Sequence, residues 1–192
     1  MEKFYKLIRI ITLAPILAGF SVAAIYLMCP GAFPSPIHFA YTFFFLTVLP
    51  LTAYPLQPVT PHFKNKGRNG QRTLAMIFAV AGYILCLIVN IFASASAAMW
   101  IINLEYLISG VLILFFNKVL HIKISAHGCG SAGTVFLLLY FGLYIPSAVM
   151  GVCTVLSYIA SVKAKHHTFP QLIGGSAVSV LVLPVLALLF SL

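Results

Sequence analysis

Charge is what this chain has least of. Only 7% of its 192 residues are Asp, Glu, Lys or Arg, against roughly a quarter in soluble domains, and that excludes a water-soluble fold. Acidic groups are the scarcest: there is no aspartate, and the two glutamates are Glu2 and Glu105. Cysteine is sparse as well. Cys29, Cys86, Cys129 and Cys153 show no CxxC spacing, so no disulfide framework is indicated and they read as small packing residues. Strand-period alternation and internal repeats are also missing, which leaves an all-helical reading without a competitor.

What is there is apolar. Hydrophobic residues make up 62% of the chain and the mean hydropathy is +1.09. Phenylalanine, tyrosine and long Leu/Ile/Val runs extend through the whole length, so low complexity is excluded too. The class is all-α, a polytopic transmembrane helical bundle formed by residues 1–192 as one integral membrane domain. A crossing helix needs about 20 apolar residues, within roughly 17 to 25. Runs of that kind are Ile10–Met28, Ile37–Leu56 (fraying through Pro50 and Pro55), Thr73–Phe92, Ala98–Phe116 and Gln171–Leu192. The basic start before Ile10 looks like a signal peptide, but the apolar run is too long for one and is read as a retained helix. The block Gly128–Ala160 is long for one helix and short for two. Tyr144-Ile145-Pro146-Ser147 offers the break, giving about seven spans, with six as the alternative.

Charge asymmetry supports the count. Numbering termini and loops alternately places all eleven basic residues on one side: Lys3, Lys6 and Arg9; Lys64, Lys66, Arg68 and Arg72; Lys118 and Lys123; Lys163 and Lys165. The other face, near 29–36, 93–97 and 145–147, has none. The positive-inside rule then makes the basic face, including the N-terminus, cytoplasmic, with the C-terminus outside a bacterial-type plasma membrane. Loops that bind phosphate would leave the same mark whichever way they faced. Glu105 lies inside the fourth span. An intramembrane carboxylate is a functional hypothesis by default; the competing readings are a hydrogen-bonded carboxyl joining two helices and a part in ion movement.

Two polar loops on the basic face carry candidate chemistry. One runs Leu120-His121-Ile122-Lys123-Ile124-Ser125-Ala126-His127-Gly128; the other runs Ser161-Val162-Lys163-Ala164-Lys165-His166-His167-Thr168-Phe169-Pro170-Gln171. Each sets a histidine just before an apolar helix, with lysines close by. A helix N-terminus exposes free N–H groups and a partial positive charge, which suits an anion. Thr168 fits an N-cap with proline in the first turn. Two such helix starts, lysines and two histidines describe a phosphate pocket in which one histidine attacks phosphorus and the other protonates the leaving oxygen. The competing reading is interfacial: basic residues gather at membrane surfaces for headgroup contact alone. A metal site is disfavoured, because His166 and His167 are adjacent and no carboxylate joins them.

At these residues the sequence resembles the type 2 phosphatidic acid phosphatase (lipid phosphate phosphatase) superfamily, most closely its compact bacterial members. The second motif of that family, Ser-Gly-His at a helix start, appears as Ser125-Ala126-His127 after Lys123-Ile124. The third motif keeps its spacing as Ser161, then His167, then Gln171, followed by Leu172-Ile173-Gly174-Gly175. The first motif is represented by Lys64, Lys66, Arg68 and Arg72, with Thr73 where the family has proline. The resemblance covers residues 57–180 as a phosphatase-like core. It implies a hydrolase acting on a lipid phosphate (a phospholipid or polyprenyl phosphomonoester or diphosphate) through a phosphohistidine, with no cofactor, no metal and no nucleic-acid partner.

By the same resemblance His167 is the nucleophile and His127 the general acid. Arg72, Lys123 and Ser125 hold the phosphate, and Gln171 orients the nucleophile. Ser161 replaces the third-motif arginine, so a bidentate clamp is lost and Lys163 or Lys165 supplies a point charge instead. Gln171 replaces a carboxylate. These two departures open the alternative of a catalytically silent relative that binds or moves phospholipid.

Overall fold

A computed structural model of the chain describes residues 12–191, and all regular structure among them is helical. The basic trio Lys3, Lys6 and Arg9, the start of the first expected span at Ile10, and Leu192 lie outside the described residues. Among the described residues seven helices follow in order: α1, Ala14–Met28; α2, Pro36–Leu56; α3, Gly67–Phe92; α4, Ala97–Val119; α5, Ala126–Tyr140; α6, Tyr144–Lys163; α7, Phe169–Ser191. Five of them (α2, α3, α4, α6 and α7) are long and apolar enough to cross a membrane; α1 and α5, at 15 residues each, are shorter.

The helix ends differ from the hydropathy-based limits for identifiable reasons. Helix α2 does not fray at its prolines. Its turn at Phe44–Val48 widens to a π turn, with the Leu49 N–H reaching back to Phe44 O. That wider turn sits just before Pro50, which has no N–H to offer the ladder. Helices α3, α4 and α5 run past the apolar limits, α3 beginning at Gly67 rather than Thr73 and α4 continuing to Val119. Apolarity marks the hydrocarbon, whereas helix hydrogen bonding continues into polar sequence.

The break between α5 and α6 also moves. It falls at 141–143, not at Tyr144–Ser147. Gly142 takes φ +72° while its N–H bonds Leu139 O and the Leu143 N–H bonds Leu138 O, a glycine-terminated helix end. Pro146 lies in the first turn of α6, where the N–H it lacks is not needed.

Hydrogen bonds define two ends of the bundle. At one, His38 Nε2 bonds Ala93 O at 2.6 Å, Ser96 Oγ donates to Ala32 O, and Cys29 Sγ lies 3.7 Å from Phe141 O. At the other, the Ser125 N–H donates to Gln171 O at 2.9 Å and Thr12 Oγ1 lies 3.1 Å from Ser157 Oγ. This second end carries Lys123, Lys163 and Lys165; the first is made of uncharged segments.

Polarity is inverted relative to a soluble bundle. Asn103, Glu105, Ser131, Thr134, Ser157 and Ser179 are buried, while Ile88, Phe92, Leu181 and Val185 are exposed. The interior is filled by Ile25, Leu46, Met99, Ile102, Leu137 and Leu138. An outward apolar surface with polar groups turned in is what a helical membrane bundle requires.

Helices α5 and α7 meet backbone to backbone at the basic end. A Cβ on Gly128 would stand 2.5 Å from Leu172 O, and one on Gly175 would collide with Ser125 O. Small residues at such crossings are how membrane helices gain close packing. Gly175→Val should therefore lower the detergent-solubilised melting temperature steeply, since overpacking costs about 1–3 kcal/mol. Gly151→Ala, where the added methyl meets nothing within 4 Å, should leave it unchanged. Differential scanning fluorimetry of the two variants checks this.

Candidate active site

The turn between α6 and α7 builds a cleft. Lys165 adopts φ +52°, its N–H bonds Val162 O, and the His166 N–H bonds Ser161 O. This left-handed stop at the end of α6 reverses the chain within five residues, and α7 starts at Phe169. The cleft, of about 380 Å³, is lined by Lys123, Val162, Lys165, His166, His167, Thr168, Phe169 and Gln171.

Gln171 organises the start of α7. Thr168 precedes the first helical residue, and its N–H donates to Gln171 Oε1 at 3.3 Å, the return half of a capping box. The same oxygen lies 3.4 Å from His167 Nδ1. A backbone N–H can only donate, so the Gln171 atom facing it is the amide oxygen. An acceptor beside Nδ1 in turn requires that nitrogen to carry the proton. The Nε2 of His167 is then the ring nitrogen with a lone pair, and it has no protein partner among the described residues.

The electrostatics disfavour the protonated form of this imidazole. Half-burial pulls His167 below the ordinary histidine value of 6.5, and the positive charges of Arg72 and Lys123, together with the neighbouring His166 ring, push it further down; the bond to Gln171 opposes them. Arg72, which stands one turn and a half into α3, thus acts on the same site as the α6–α7 turn. A cleft holding cationic Lys123 and Lys165 beside an uncharged imidazole suits an anion and a nucleophile together.

The other expected residues are placed differently. Ser125 is fully buried, and its hydroxyl accepts the Gly128 N–H at 3.1 Å as the cap of α5. Its role in the fold is that cap, and it does not line the cleft. His127 is half-buried in the first turn of α5. Its Nε2 bonds Ser157 Oγ of α6 and lies 3.5 Å from Thr12 Oγ1. The Ser125–Gln171 backbone bond brings the two histidine-bearing helix starts to the same end, but His127 does not line the cleft of His167.

Lys163, which is exposed, and Ser161, which is buried at 1% exposure, both lie outside the lining. His166 and Phe169 line the cleft without having been singled out. The Lys-His-His run was the available signal for His166.

Glu105 sits in the α4–α5–α7 interior, with Oε1 accepting from Ser109 Oγ at 3.2 Å beside Gly133. It does not line the cleft. Among the described residues no three His, Cys, Asp or Glu side chains gather to hold a metal ion.

Comparison with known proteins adds no relative: no protein-family model, no curated protein and no solved structure matches the chain.

The titration of His167 follows from its neighbours. Its midpoint should lie below 6.5, and Arg72→Gln or Lys123→Gln should each move it upward, because removing a positive neighbour favours the protonated ring. Gln171→Leu should move it downward by deleting the acceptor. Histidine-selective isotope labelling and an NMR pH titration measure all three shifts.

Proposed function

We propose that the protein is an integral membrane lipid phosphate phosphatase that works through a phosphohistidine at His167. The observation that carries this reading is the His167–Gln171–Thr168 arrangement, which leaves a neutral, lone-pair-bearing Nε2 in a cleft with Lys123 and Lys165. The resemblance of Lys123–His127 and Ser161–Gly175 to the motifs of the type 2 phosphatidic acid phosphatases agrees with it.

In the proposed reaction Lys123 and Lys165 bind the phosphate oxygens, and the positive field of Arg72 and the N–H groups at the start of α7 add to the attraction. His167 Nε2 attacks phosphorus in line as the bond from phosphorus to the lipid alcohol oxygen breaks. A proton passes to that oxygen. Water then attacks the phosphohistidine, releasing inorganic phosphate and restoring the imidazole. His127 is the proton donor by family position; its Nε2 is engaged with Ser157. His166 lines the cleft itself and is the second candidate for that role. With seven crossings the basic end faces the cytoplasm and the C-terminus faces out, and the apolar helix surfaces keep the lipid tails in the bilayer.

Phosphate release from a panel of lipid phosphates in detergent tests the chemistry. His167→Ala should abolish turnover, and loss of the proton donor should cost about 10²–10⁴-fold, which ranks His127→Ala against His166→Ala. Gln171→Glu should raise kcat by adding a charge that stabilises the imidazolium form. Wild type matching His167→Ala on every substrate would end the enzyme reading. The topology has its own test: alkaline phosphatase joined after Leu192 should be active outside the cell, and an inactive fusion would reverse the orientation.

A further inference from the structure

Glu105 is the one acidic side chain among the described residues, and the phosphatase reading gives it no task. It is 2% exposed. At a rise of ~1.5 Å per residue it lies about 12 Å along α4 from Ala97, near the middle of a ~30 Å hydrocarbon core. Its Oε1 accepts from Ser109 Oγ at 3.2 Å, and its Oε2 is buried with no hydrogen-bond partner. No lysine, arginine or histidine among the described residues pairs with it. A buried carboxylate is sustained by a cation or by donors at both oxygens, and here one oxygen has neither.

The hydroxyls nearby have their protons committed elsewhere. Ser109 gives its proton to Glu105 Oε1, and the Ser179 hydroxyl donates to Cys129 O at 3.1 Å or Ser176 O at 3.2 Å. Both oxygens keep lone pairs. The two serines, buried on α4 and α7, converge on α5, where the Cys129 thiol adjoins both. That thiol adds no more than a weak donor. Gly133 supplies the room. A Cβ there would stand 3.6 Å from Glu105 Oε1 and 3.5 Å from Ser179 Oγ, so the space a side chain would fill is bordered by both. Three helices thus surround an orphaned carboxylate oxygen with lone pairs.

We propose that Glu105, with Ser109 and Ser179, binds one hard monovalent cation such as sodium between α4, α5 and α7. Carboxylate and hydroxyl oxygens suit a hard cation better than a soft one. A single positive charge matches the single carboxylate and leaves the membrane interior neutral, whereas a divalent ion would leave one charge uncompensated. The cation meets Oε2, the atom that no protein group serves. This site stands apart from the phosphatase reading, because Glu105 does not line the His167 cleft.

Radiosodium binding to the purified full-length protein in detergent tests this, at fixed pH and with N-methylglucamine chloride holding the ionic strength. Wild type should bind sodium saturably, one ion per chain. Glu105→Gln, which keeps an acceptor for Ser109, should abolish the binding. Ser179→Ala, which keeps the carboxylate, should weaken it roughly tenfold, the scale of one polar contact to a charge. Thr60→Ala, on the exposed loop after α2, should leave it unchanged. A second readout needs only the wild type: a membrane-permeant carbodiimide should label Glu105, and sodium should protect it where N-methylglucamine does not. No saturable binding by wild type, binding that survives Glu105→Gln, or labelling that sodium leaves unchanged would overturn the proposal, the last by showing a carboxyl that holds only a proton. None of these outcomes bears on phosphate release, so the two readings stand or fall separately.

Discussion

Gln171 is bonded at both of its ends, and the basic end of the bundle depends on those bonds. Its main-chain carbonyl accepts the Ser125 N–H, which fixes the start of α5 against the start of α7. Its side-chain oxygen accepts the Thr168 N–H and faces His167 Nδ1, which begins α7 and sets the imidazole at the same time. One residue thus joins two helix starts and assigns a tautomer. The glycines at 128 and 175 allow this, because any side chain at either place would force the backbones apart. Without that approach there is no cleft at the α6–α7 turn for the lysines to enclose.

The charge distribution is consistent with this frame. A bundle with polar groups turned inward and hydrocarbon outward can place cations only at its ends, and here the described lysines lie at the end that holds the cleft. In the proposed phosphatase reading, Gln171 brings no charge beside His167 but offers an acceptor to its ring. Ser161 is buried within the last turn of α6 and outside the cleft lining, whose lysines are Lys123 and Lys165.

Much of this was legible in the sequence, and the failures have physical causes. Apolar runs located each of the described helices, five of which are long and apolar enough to cross a membrane, since crossing hydrocarbon imposes a length that hydropathy records. They misplaced ends because a helix does not stop where the membrane does; Arg72 and His127 both belong to helices that begin in polar sequence. Pro146 suggested a break it does not make, because a proline is harmless in a first turn, while Gly142 made the break unnoticed. Within the site, spacing pointed to the two histidine-bearing loops with their lysines, and the family resemblance pointed to Gln171. The resemblance also suggested Ser125, whose hydroxyl is committed to a helix cap, and His166 was passed over as a cleft residue.

The central claim is that the Gln171 oxygen holds His167 with its proton on Nδ1 and its lone pair on Nε2. Nitrogen-15 chemical shifts of selectively labelled histidine, assigned by comparison with His167→Ala and recorded above the titration of the ring, report the tautomer directly. The account predicts a protonated Nδ1 and an unprotonated Nε2 for His167, with that preference lost in Gln171→Leu. A protonated Nε2 in the wild-type protein would contradict it.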